Sequence, residues 1–290
     1  GYEELKKVNP EIIFASISGY GQNGPWSSLA AYDNVIQAMC GMMEMTGFAD
    51  DVPTKVGPAI GDNFTGLTMA LAITMAYFHK LQTGKGQRLD VAMMDCLFGI
   101  MESPIMYKEL LNEEISRCGN TDPTLFPYDV YPCKDGYFSV GVAAGSKSEW
   151  ERFCNAIEMP ELLQEEKYST NESRVALYDE LTPKILPFFA SKTKAELNDI
   201  FLACNLPCSP VNTIPELMGH PQLKARNMLI PVTDDGVGEY LAMGNPMMMS
   251  ETPAVIEKGA PAMGRDTEKV LLEAGYTADE IAAFVQNEIC

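Results

Sequence analysis

Residues 12–25 read IIFASISGYGQNGP, and this stretch indicates the fold class more clearly than any other part of the chain. The run Ile12–Ile17 is almost wholly apolar, which is typical of a parallel strand covered on both faces. A glycine-rich loop, Gly19–Pro25, follows it directly. Open α/β sheets bind ligands at the carboxyl ends of their strands, and glycines let the backbone approach a ligand closely. Gly19 and Gly21 are therefore candidate ligand-loop residues, although an ordinary turn has the same composition.

The segments after this loop predict helices and strands in alternation. Residues 32–48 and 62–82 have apolar residues at helical spacing, and residues 87–93 (QRLDVAM) have the composition of a strand. The second helix is expected to start with Asp62 as its N-cap and to end at Thr83-Gly84. Alternating strands and helices predict an α/β layer architecture.

A change of pattern near Cys118 predicts a second domain. Prolines interrupt the chain there, and a strand is expected at residues 137–143. Helical patterns follow at residues 147–157, 172–190 and 193–203. We expect one α/β domain over residues 1–116, a smaller α/β domain over 117–212, and a C-terminal segment over 213–290 that returns to pack on the first domain.

Composition excludes several classes of function. The chain of 290 residues is 46% hydrophobic and 21% charged, which fits a globular fold. Its net charge of −19 disfavours a nucleic-acid partner, and no apolar run reaches the ~18 residues that a membrane span needs. The cysteines are scattered, as free thiols of a reducing cytosol would be, and the CxxxC spacing of Cys204 and Cys208 does not suit zinc. We therefore predict a cytoplasmic protein without a nucleic-acid, membrane or metal partner.

Two aspartates at predicted helix starts are candidate catalytic acids. An N-cap aspartate such as Asp62 usually only accepts hydrogen bonds from free backbone amides. The same position also suits a nucleophile, because the helix dipole favours a carboxylate and the preceding Gly61 leaves room for a substrate carbonyl. Asp33, which follows Tyr32, could equally cap its own helix.

Several stretches resemble the class III CoA-transferases, the CaiB/BaiF-like group that includes carnitine and bile-acid CoA-transferases. They are NPEIIFASISGYGQNGP, AYDNVIQAMCGMMEMTG, AIGDNFTG, TGKGQRLDVAMMDC, NLPCSPVNTIPEL, HPQLKARNM and MGRDTEKVLLEAGY. Their order and spacing match the family throughout the chain. The resemblance implies that Gly61-Asp62 falls on the family's catalytic aspartate and that Asp33 is an acidic residue near the active site. It also implies supporting roles for Tyr32 and Asn63.

The reaction that the resemblance implies moves CoA from an acyl-CoA donor to a carboxylic acid acceptor. It passes through mixed anhydrides and an aspartyl-CoA thioester on Asp62, with coenzyme A as a substrate and with no permanently bound cofactor or metal. The resemblance further implies an interlocked homodimer and a Rossmann-like large domain, of which residues 1–116 would be the remainder.

Alpha-methylacyl-CoA racemases share the implied fold and are one alternative. They carry a catalytic His at the position of Tyr32, directly before the acid that matches Asp33. A racemase needs two acid/base groups on opposite faces of the α-carbon. Tyr, with a reference pKa of about 10 against about 6.5 for His, replaces His poorly at neutral pH. The sequence therefore favours a transferase.

The length of one loop suggests which class of carboxylic acid accepts CoA. Transferases for formate and oxalate carry a long glycine loop, and the matching region here is Cys118-Gly119-Asn120 followed by prolines. Gly119 and Asn120 are therefore candidate substrate-loop residues. The short loop favours a carnitine, bile-acid or hydroxy-acid acceptor over oxalate.

The beginning of the chain suggests a piece of a longer protein. A helical pattern in residues 1–10 runs directly into the strand Ile12–Ile17. Members of the family begin with a further Rossmann-like unit. It has on the order of 100 residues, about the size of one of the two nucleotide-binding halves of a Rossmann fold. We therefore expect an N-terminally truncated fragment whose basic CoA-phosphate contacts lie in that unit, in agreement with the net charge of −19. An inactive fragment is the second alternative.

Overall fold

The structure, a computed structural model, describes residues 1–102, 104–234 and 236–289. The chain divides into two compact units, Gly1–Val211 and Asn212–Cys290. The helices are α1 (Tyr2–Val8), α2 (Asp33–Met39), α3 (Met42–Met45), α4 (Ile60–Thr83), α5 (Met93–Gly99), α6 (Pro104–Leu111), α7 (Lys147–Ala156), α8 (Asn171–Ala176), α9 (Tyr178–Ala190), α10 (Lys194–Ala203), α11 (Ile214–Met218), α12 (Pro221–Ala225), α13 (Thr267–Glu273) and α14 (Ala278–Gln286). The strands are β1 (Phe14–Ser18), β2 (Arg88–Ala92), β3 (Tyr128–Cys133), β4 (Gly136–Gly141), β5 (Cys208–Pro210), β6 (Leu229–Asp234) and β7 (Gly238–Met243).

A parallel pair of strands, β1 and β2, together with the helices around it, confirms the predicted α/β fold class. The pairing starts at Phe14, opposite Arg88, so the strand begins later than the predicted Ile12. The residues of β1 alternate in exposure, and Ile17 is 51% exposed. The prediction of a strand covered on both faces is therefore wrong for this chain, because Ala15 and Ile17, which share one face of β1, are exposed.

The predicted helix over residues 32–48 is two shorter helices, α2 and α3. Between them Gly41 has a φ angle of +92°, in the left-handed region that glycine adopts at no steric cost. A residue in that conformation ends an α-helix. One continuous helix is thus excluded by the backbone at Gly41.

The helix α4 is 24 residues long and carries Asp62. It ends as predicted, because Gly84 is a left-handed cap whose amide donates to the carbonyl of Lys80. Its start differs from the prediction. The N-cap is Ala59, and Asp62 lies inside the first turn, so the prediction of Asp62 as N-cap is wrong.

Only one side of α4 is buried within its own unit. The buried residues are Gly61, Thr65, Met69 and Ala76. An apolar stripe on another side has each of its members more than half exposed, and it consists of Leu67, Leu71, Met75 and Phe78. Exposed apolar surface of this kind marks interaction sites, since a surface helix normally carries polar residues outwards. Neither α4 nor any other helix in the described ranges is long and apolar enough to cross a membrane.

The larger hydrophobic core of the first unit lies between a three-stranded antiparallel sheet and the helices α7, α9 and α10. The sheet has the order β3-β4-β5. Phe201 packs among aromatic rings, with its ring centroid 5.7 Å from those of Phe138 and Phe189 and 6.0 Å from that of Phe153. The helices α7 and α10 confirm the helical segments predicted at residues 147–157 and 193–203. The segment predicted at residues 172–190 is two helices, α8 and α9, which are separated at Leu177.

A smaller hydrophobic core in the same unit is formed where α2 packs against α5. It consists of Ile36, Cys40, Met93 and Leu97. This core joins the segment that carries Asp33 to the helix that follows β2. The predicted domain boundary at residue 117 stays a prediction.

The second unit contains the antiparallel hairpin β6–β7 and the helices α11 to α14. The amide of Ala260 donates to the hydroxyl of Tyr240 at 3.0 Å, which ties the segment after the hairpin to β7. Thr277 and Glu280 form a reciprocal capping box that fixes the start of α14.

We predict that Phe201→Ala lowers the free energy of unfolding by about 3–5 kcal/mol, because it removes a fully buried ring and leaves a cavity. The neighbouring Leu202 is 58% exposed on the same helix, so Leu202→Ala should cost less than about 1 kcal/mol. Urea unfolding followed by circular dichroism measures both values. Equal destabilisation by the two substitutions would contradict this description of the core.

Candidate active site

The first turn of α4 determines the geometry of the candidate site, because the leading amides of a helix have no partners within it. The amide of Asn63 donates to the carbonyl of Ala59 at 3.0 Å. The amide of Gly61 instead donates to a side chain, Oδ1 of Asp33, at 2.7 Å. The amide of Asp62 has no hydrogen-bond partner among the residues that the structure describes. The turn therefore keeps one unpaired donor, on Asp62 itself.

Asp33 caps α4, although it is the first residue of α2. Its Oδ1 accepts the hydrogen bond from Gly61, and its Oδ2 accepts one from Nε2 of Gln37 at 2.7 Å. A carboxylate bound in this way stabilises the positive end of the helix dipole. Because both oxygens are acceptors here, this arrangement gives Asp33 a structural task at the start of α4. Its predicted role in active-site support stays a prediction.

Gly61 is buried and leaves space for the capping carboxylate. A Cβ atom at this position would lie 2.9 Å from Oδ1 of Asp33 and 3.4 Å from Cδ1 of Leu97. The first separation is shorter than ordinary van der Waals contact, so either the carboxylate or the helix would have to move. Glycine at this position thus follows from the capping contact alone, before any substrate is considered.

Asp62 differs from Asp33 in having no fixed partner. The residue is exposed, and no hydrogen bond or ion pair joins its carboxylate to another residue in the described part of the chain. The dipole of α4 and the unpaired amide of Asp62 both favour negative charge at this point. A carboxylate without a hydrogen-bond partner at a helix N-terminus can attack an acyl carbon.

The other predicted supporting residues, Tyr32 and Asn63, lie at helix starts. Tyr32 is the N-cap of α2 and is 78% exposed. Asn63 is exposed and directly follows Asp62. Within the described ranges, neither side chain hydrogen-bonds to Asp33 or Asp62, and their supporting roles stay predictions.

The glycine loop after β1 lies against the start of α5. The amide of Met94 donates to the carbonyl of Gly19 at 3.0 Å, and the amide of Gly21 donates to Oγ of Ser18 at 2.9 Å. A cavity of about 510 Å³ opens on this loop, lined by Tyr20, Gly21, Asn23, Gly24, Pro25, Trp26, Asp90, Met94 and Asp95. The loop thus borders a concave surface at the carboxyl end of the parallel pair, where the sequence predicted a ligand loop.

A second cavity connects the parallel strands with α4. Its volume is about 450 Å³, and Phe64 and Thr68 of α4 form one wall. Asp90 and Asp95 line both this cavity and the one on the glycine loop. The two concave regions are therefore neighbours, and the second reaches within two residues of Asp62 along α4.

Gly119, the first of the two predicted substrate-loop residues, lies beside the segment that follows α3. The amide of Gly119 donates to the carbonyl of Gly47 at 2.9 Å, and Arg117 forms an ion pair with Glu44 at 2.8 Å. No hydrogen bond links Gly119 or Asn120 to Asp62 among the described residues. The structure therefore places Gly119 against the segment between α3 and α4, and the role of Gly119 and Asn120 as a substrate loop stays a prediction.

Gln37 was missed by sequence reasoning, although it contacts Asp33 directly. The signal available was a Gln placed four residues after an Asp on a predicted helix, a spacing at which the two side chains can hydrogen-bond. The hydrogen bond between the side chain of Gln37 and the amide of Val56 could not be predicted from the local sequence, because it joins residues 19 positions apart. Among the residues described, no group of three or more His, Cys, Asp or Glu could hold a metal ion.

Comparison with known proteins identifies relatives of this chain. The profile of CoA-transferase family III matches residues 1–267. The succinate–glutarate CoA-transferase of Agrobacterium fabrum is 33% identical over 275 residues, which cover 94% of this chain and 68% of that protein. The acetyl-CoA:oxalate CoA-transferase of Acetobacter aceti is 33% identical over 281 residues, which cover 96% of this chain and 70% of that protein.

The fold has a counterpart among solved structures. The crystal structure of a CaiB/BaiF family protein from Brucella suis aligns with a TM-score of 0.81 at 30% identity. The alignment covers 94% of this chain and 70% of that one. The resemblance drawn from the sequence is confirmed by these matches.

We predict that Gly61→Ala destabilises the protein by about 1 kcal/mol or more, because the new Cβ displaces the carboxylate of Asp33 and leaves an amide of α4 without its partner. Gly66 lies on the same helix, and a Cβ added there would have no atom within 4 Å, so it is the matched control. Gly66→Ala should stabilise the protein by about 0.5–1 kcal/mol through helix propensity. Urea unfolding of both variants checks the pair, and similar changes of the same sign would contradict the capping contact.

Proposed function

We propose that this chain, which belongs to CoA-transferase family III, transfers CoA between carboxylic acids by covalent catalysis on Asp62. The observation that carries the proposal is the exposed, unpartnered carboxylate of Asp62 in the first turn of α4. Asp33 satisfies the amide of Gly61, so Asp62 is not needed as a cap. Its carboxylate is therefore available for reaction.

In the first half of the proposed reaction, a carboxylate oxygen of Asp62 attacks the thioester carbonyl of the acyl-CoA donor. The C–S bond breaks, CoA leaves as a thiolate, and a mixed anhydride remains between the acyl group and Asp62. The thiolate then attacks the aspartyl carbonyl. The anhydride C–O bond breaks, the donor acid leaves as a carboxylate, and an aspartyl-CoA thioester is formed.

The second half repeats these steps with the acceptor. The acceptor carboxylate attacks the aspartyl thioester, expels the CoA thiolate and forms a second mixed anhydride. The thiolate attacks the acceptor acyl carbon, which gives the new acyl-CoA and regenerates the carboxylate of Asp62. Protons and charges balance at each step and the thioester energy is conserved, so the proposal includes no metal and no permanently bound cofactor.

The start of α4 supports these steps electrostatically. Negative charge develops on a carbonyl oxygen in each addition, and preorganised amides stabilise such charge. The unpaired amide of Asp62 and the positive end of the helix dipole lie beside the reacting group. Glycine-loop amides at the neighbouring cavity are further candidate donors.

We further propose a short dicarboxylic acid as the acceptor. The two relatives described above are named for such acids, succinate and glutarate in one case and oxalate in the other. The sequence-based preference for carnitine, bile-acid or hydroxy-acid acceptors over oxalate rests on the short loop Cys118-Gly119-Asn120 and stays a prediction. A racemase is disfavoured by Tyr32, and the absence of deuterium exchange at the substrate α-carbon would test that point.

We also propose that the protein forms a homodimer. The exposed apolar stripe of α4, Leu67, Leu71, Met75 and Phe78, supports it, because a second chain would remove this surface from water. Sedimentation velocity tests the dimer. A cytoplasmic location is also proposed, and it is supported by the free state of the cysteines in the described part of the chain.

We predict that Asp62→Ala in the full-length protein lowers kcat by a factor on the order of 10⁴ or more, since the variant lacks the nucleophile. Asp279 is a matched control, because it is an exposed aspartate in the first turn of α14, and Asp279→Ala should leave kcat unchanged. Hydroxylamine added to the wild type during turnover should convert Asp62 to a hydroxamate. Label on another residue, or normal folding with more than a few per cent of the rate in Asp62→Ala, would contradict the proposal.

We predict that glutarate has a kcat/KM at least about tenfold above that of carnitine when succinyl-CoA is the donor, because the relative from Agrobacterium fabrum is named for succinate and glutarate. Acceptor assays with glutarate, oxalate, D-citramalate and carnitine measure this order. A higher value for carnitine would overturn the dicarboxylate proposal and favour the acceptor class predicted from the short loop.

A further inference from the structure

Gln37 is a fully buried polar side chain on α2, with 0% of its surface exposed. Its Nε2 donates to Oδ2 of Asp33 at 2.7 Å, and its Oε1 accepts from the amide of Val56 at 2.8 Å. Burying an amide side chain is unfavourable unless its hydrogen bonds are made. Both ends of this side chain are bonded, so the burial is compensated.

The orientation of the Gln37 amide is fixed by its partners. The backbone amide of Val56 can only donate, so it requires the carbonyl oxygen of the side chain. The carboxylate of Asp33 already accepts from Gly61 and, when ionised, can only accept, so it requires the NH₂ group. Of the natural side chains of this length, only Gln offers a donor and an acceptor at these two ends without a change of protonation.

The bonds form one continuous path across the start of α4. The amide of Val56 donates to Gln37, Gln37 donates to Asp33, and Asp33 accepts from the amide of Gly61. Val56 precedes the first residue of α4, and Gly61 lies within its first turn. Gln37 therefore connects two segments. One is the loop before α4, and the other is the first turn of α4, which carries Asp62.

We infer that Gln37 is a positioning residue for the transferase reaction. Through Asp33 it fixes the first turn of α4, and thereby the position of the backbone that carries the Asp62 side chain. The inference rests on the proposed role of Asp62. Gln37 acts through Asp33 and the helix start, without touching substrate or the reacting carboxylate. It affects the rate of aspartyl intermediate formation, because a displacement of about 1 Å at a reacting group can cost on the order of 10²-fold.

The first test variant is Gln37→Met in the full-length protein, which keeps the length and volume of the side chain and removes both hydrogen bonds. We expect the single-turnover rate of Asp62 labelling by acyl-CoA to fall about 10- to 100-fold with KM unchanged. Thr46→Val is the structural control. It removes a hydrogen bond from the side chain of Thr46 to the carbonyl of Met42 in the same region without touching the path. It should lower thermal stability and leave the labelling rate at the wild-type value.

The second variant, Gln37→Glu, tests the pH dependence of the labelling rate, which would not change if Gln37 only stabilised the fold. A glutamate can donate to Asp33 only when the buried pair of carboxyl groups holds one proton. The labelling rate of this variant should therefore approach the wild-type rate at low pH and fall as the pair loses its proton. The wild type has no such pair and should not share that dependence.

The groups near the substituted position are few. The helices packed against α2 are α3, α4 and α5. Their titratable residues are Glu44 on α3, Asp62, Tyr77, His79 and Lys80 on α4, and Asp95 and Cys96 on α5. Among described residues, none of these hydrogen-bonds to the side chain of Gln37 or Asp33, so the pair at positions 33 and 37 accounts for the expected difference between variant and wild type.

The outcomes separate the two proposals. If the wild type labels at Asp62 and Gln37→Met labels equally fast, the positioning role is overturned while the nucleophile stands. A ratio of Gln37→Glu to wild-type rates that does not change with pH would also overturn it, since only the variant holds a carboxyl pair whose shared proton makes the hydrogen bond. If no label reaches Asp62 in the wild type, the proposed nucleophile and the inference built on it both fail.

Discussion

The hydrogen bond from the amide of Gly61 to the carboxylate of Asp33 is the contact on which the candidate site depends. A helix N-terminus has unsatisfied amides and a partial positive charge, and one carboxylate is usually enough to stabilise it. Here that carboxylate comes from α2, a separate helix. The aspartate within α4 is consequently released from capping. A nucleophile needs this freedom, because a carboxylate held by several hydrogen bonds has fewer lone pairs available for attack.

The two aspartates therefore differ in the task that each one suits: Asp33 caps α4, and Asp62 is the proposed nucleophile. Asp33 is held on both oxygens, and Asp62 is exposed without a fixed partner. The sequence pattern could suggest both roles for either residue, since each stands at a helix start. Local sequence could not decide between them, because the capping bond joins residues 28 positions apart. It is a tertiary contact, and only the packing of α2 against α4 creates it.

The parts of the fold that the sequence could predict are those set by local chemistry. The helix stop at Gly84 follows from a glycine in the left-handed conformation, and the helices around the larger core follow from their periodic apolar residues. The predictions of secondary structure and burial were wrong where contacts between distant parts of the chain, or the backbone conformation of one residue, determine the structure. The strand Phe14–Ser18 has the composition of a fully buried strand, but its exposure alternates. Gly41 breaks a helix whose apolar pattern continues on both sides of it.

Residue choice at the start of α4 follows from the same network of contacts. Gly61 must be small because the carboxylate of Asp33 occupies the space of a side chain. Gln37 must offer both a donor and an acceptor because its two neighbours differ in kind. Buried polar networks of this type are costly when only partly satisfied. Each member thus constrains the next, and together they fix the start of α4 beside the exposed carboxylate of Asp62.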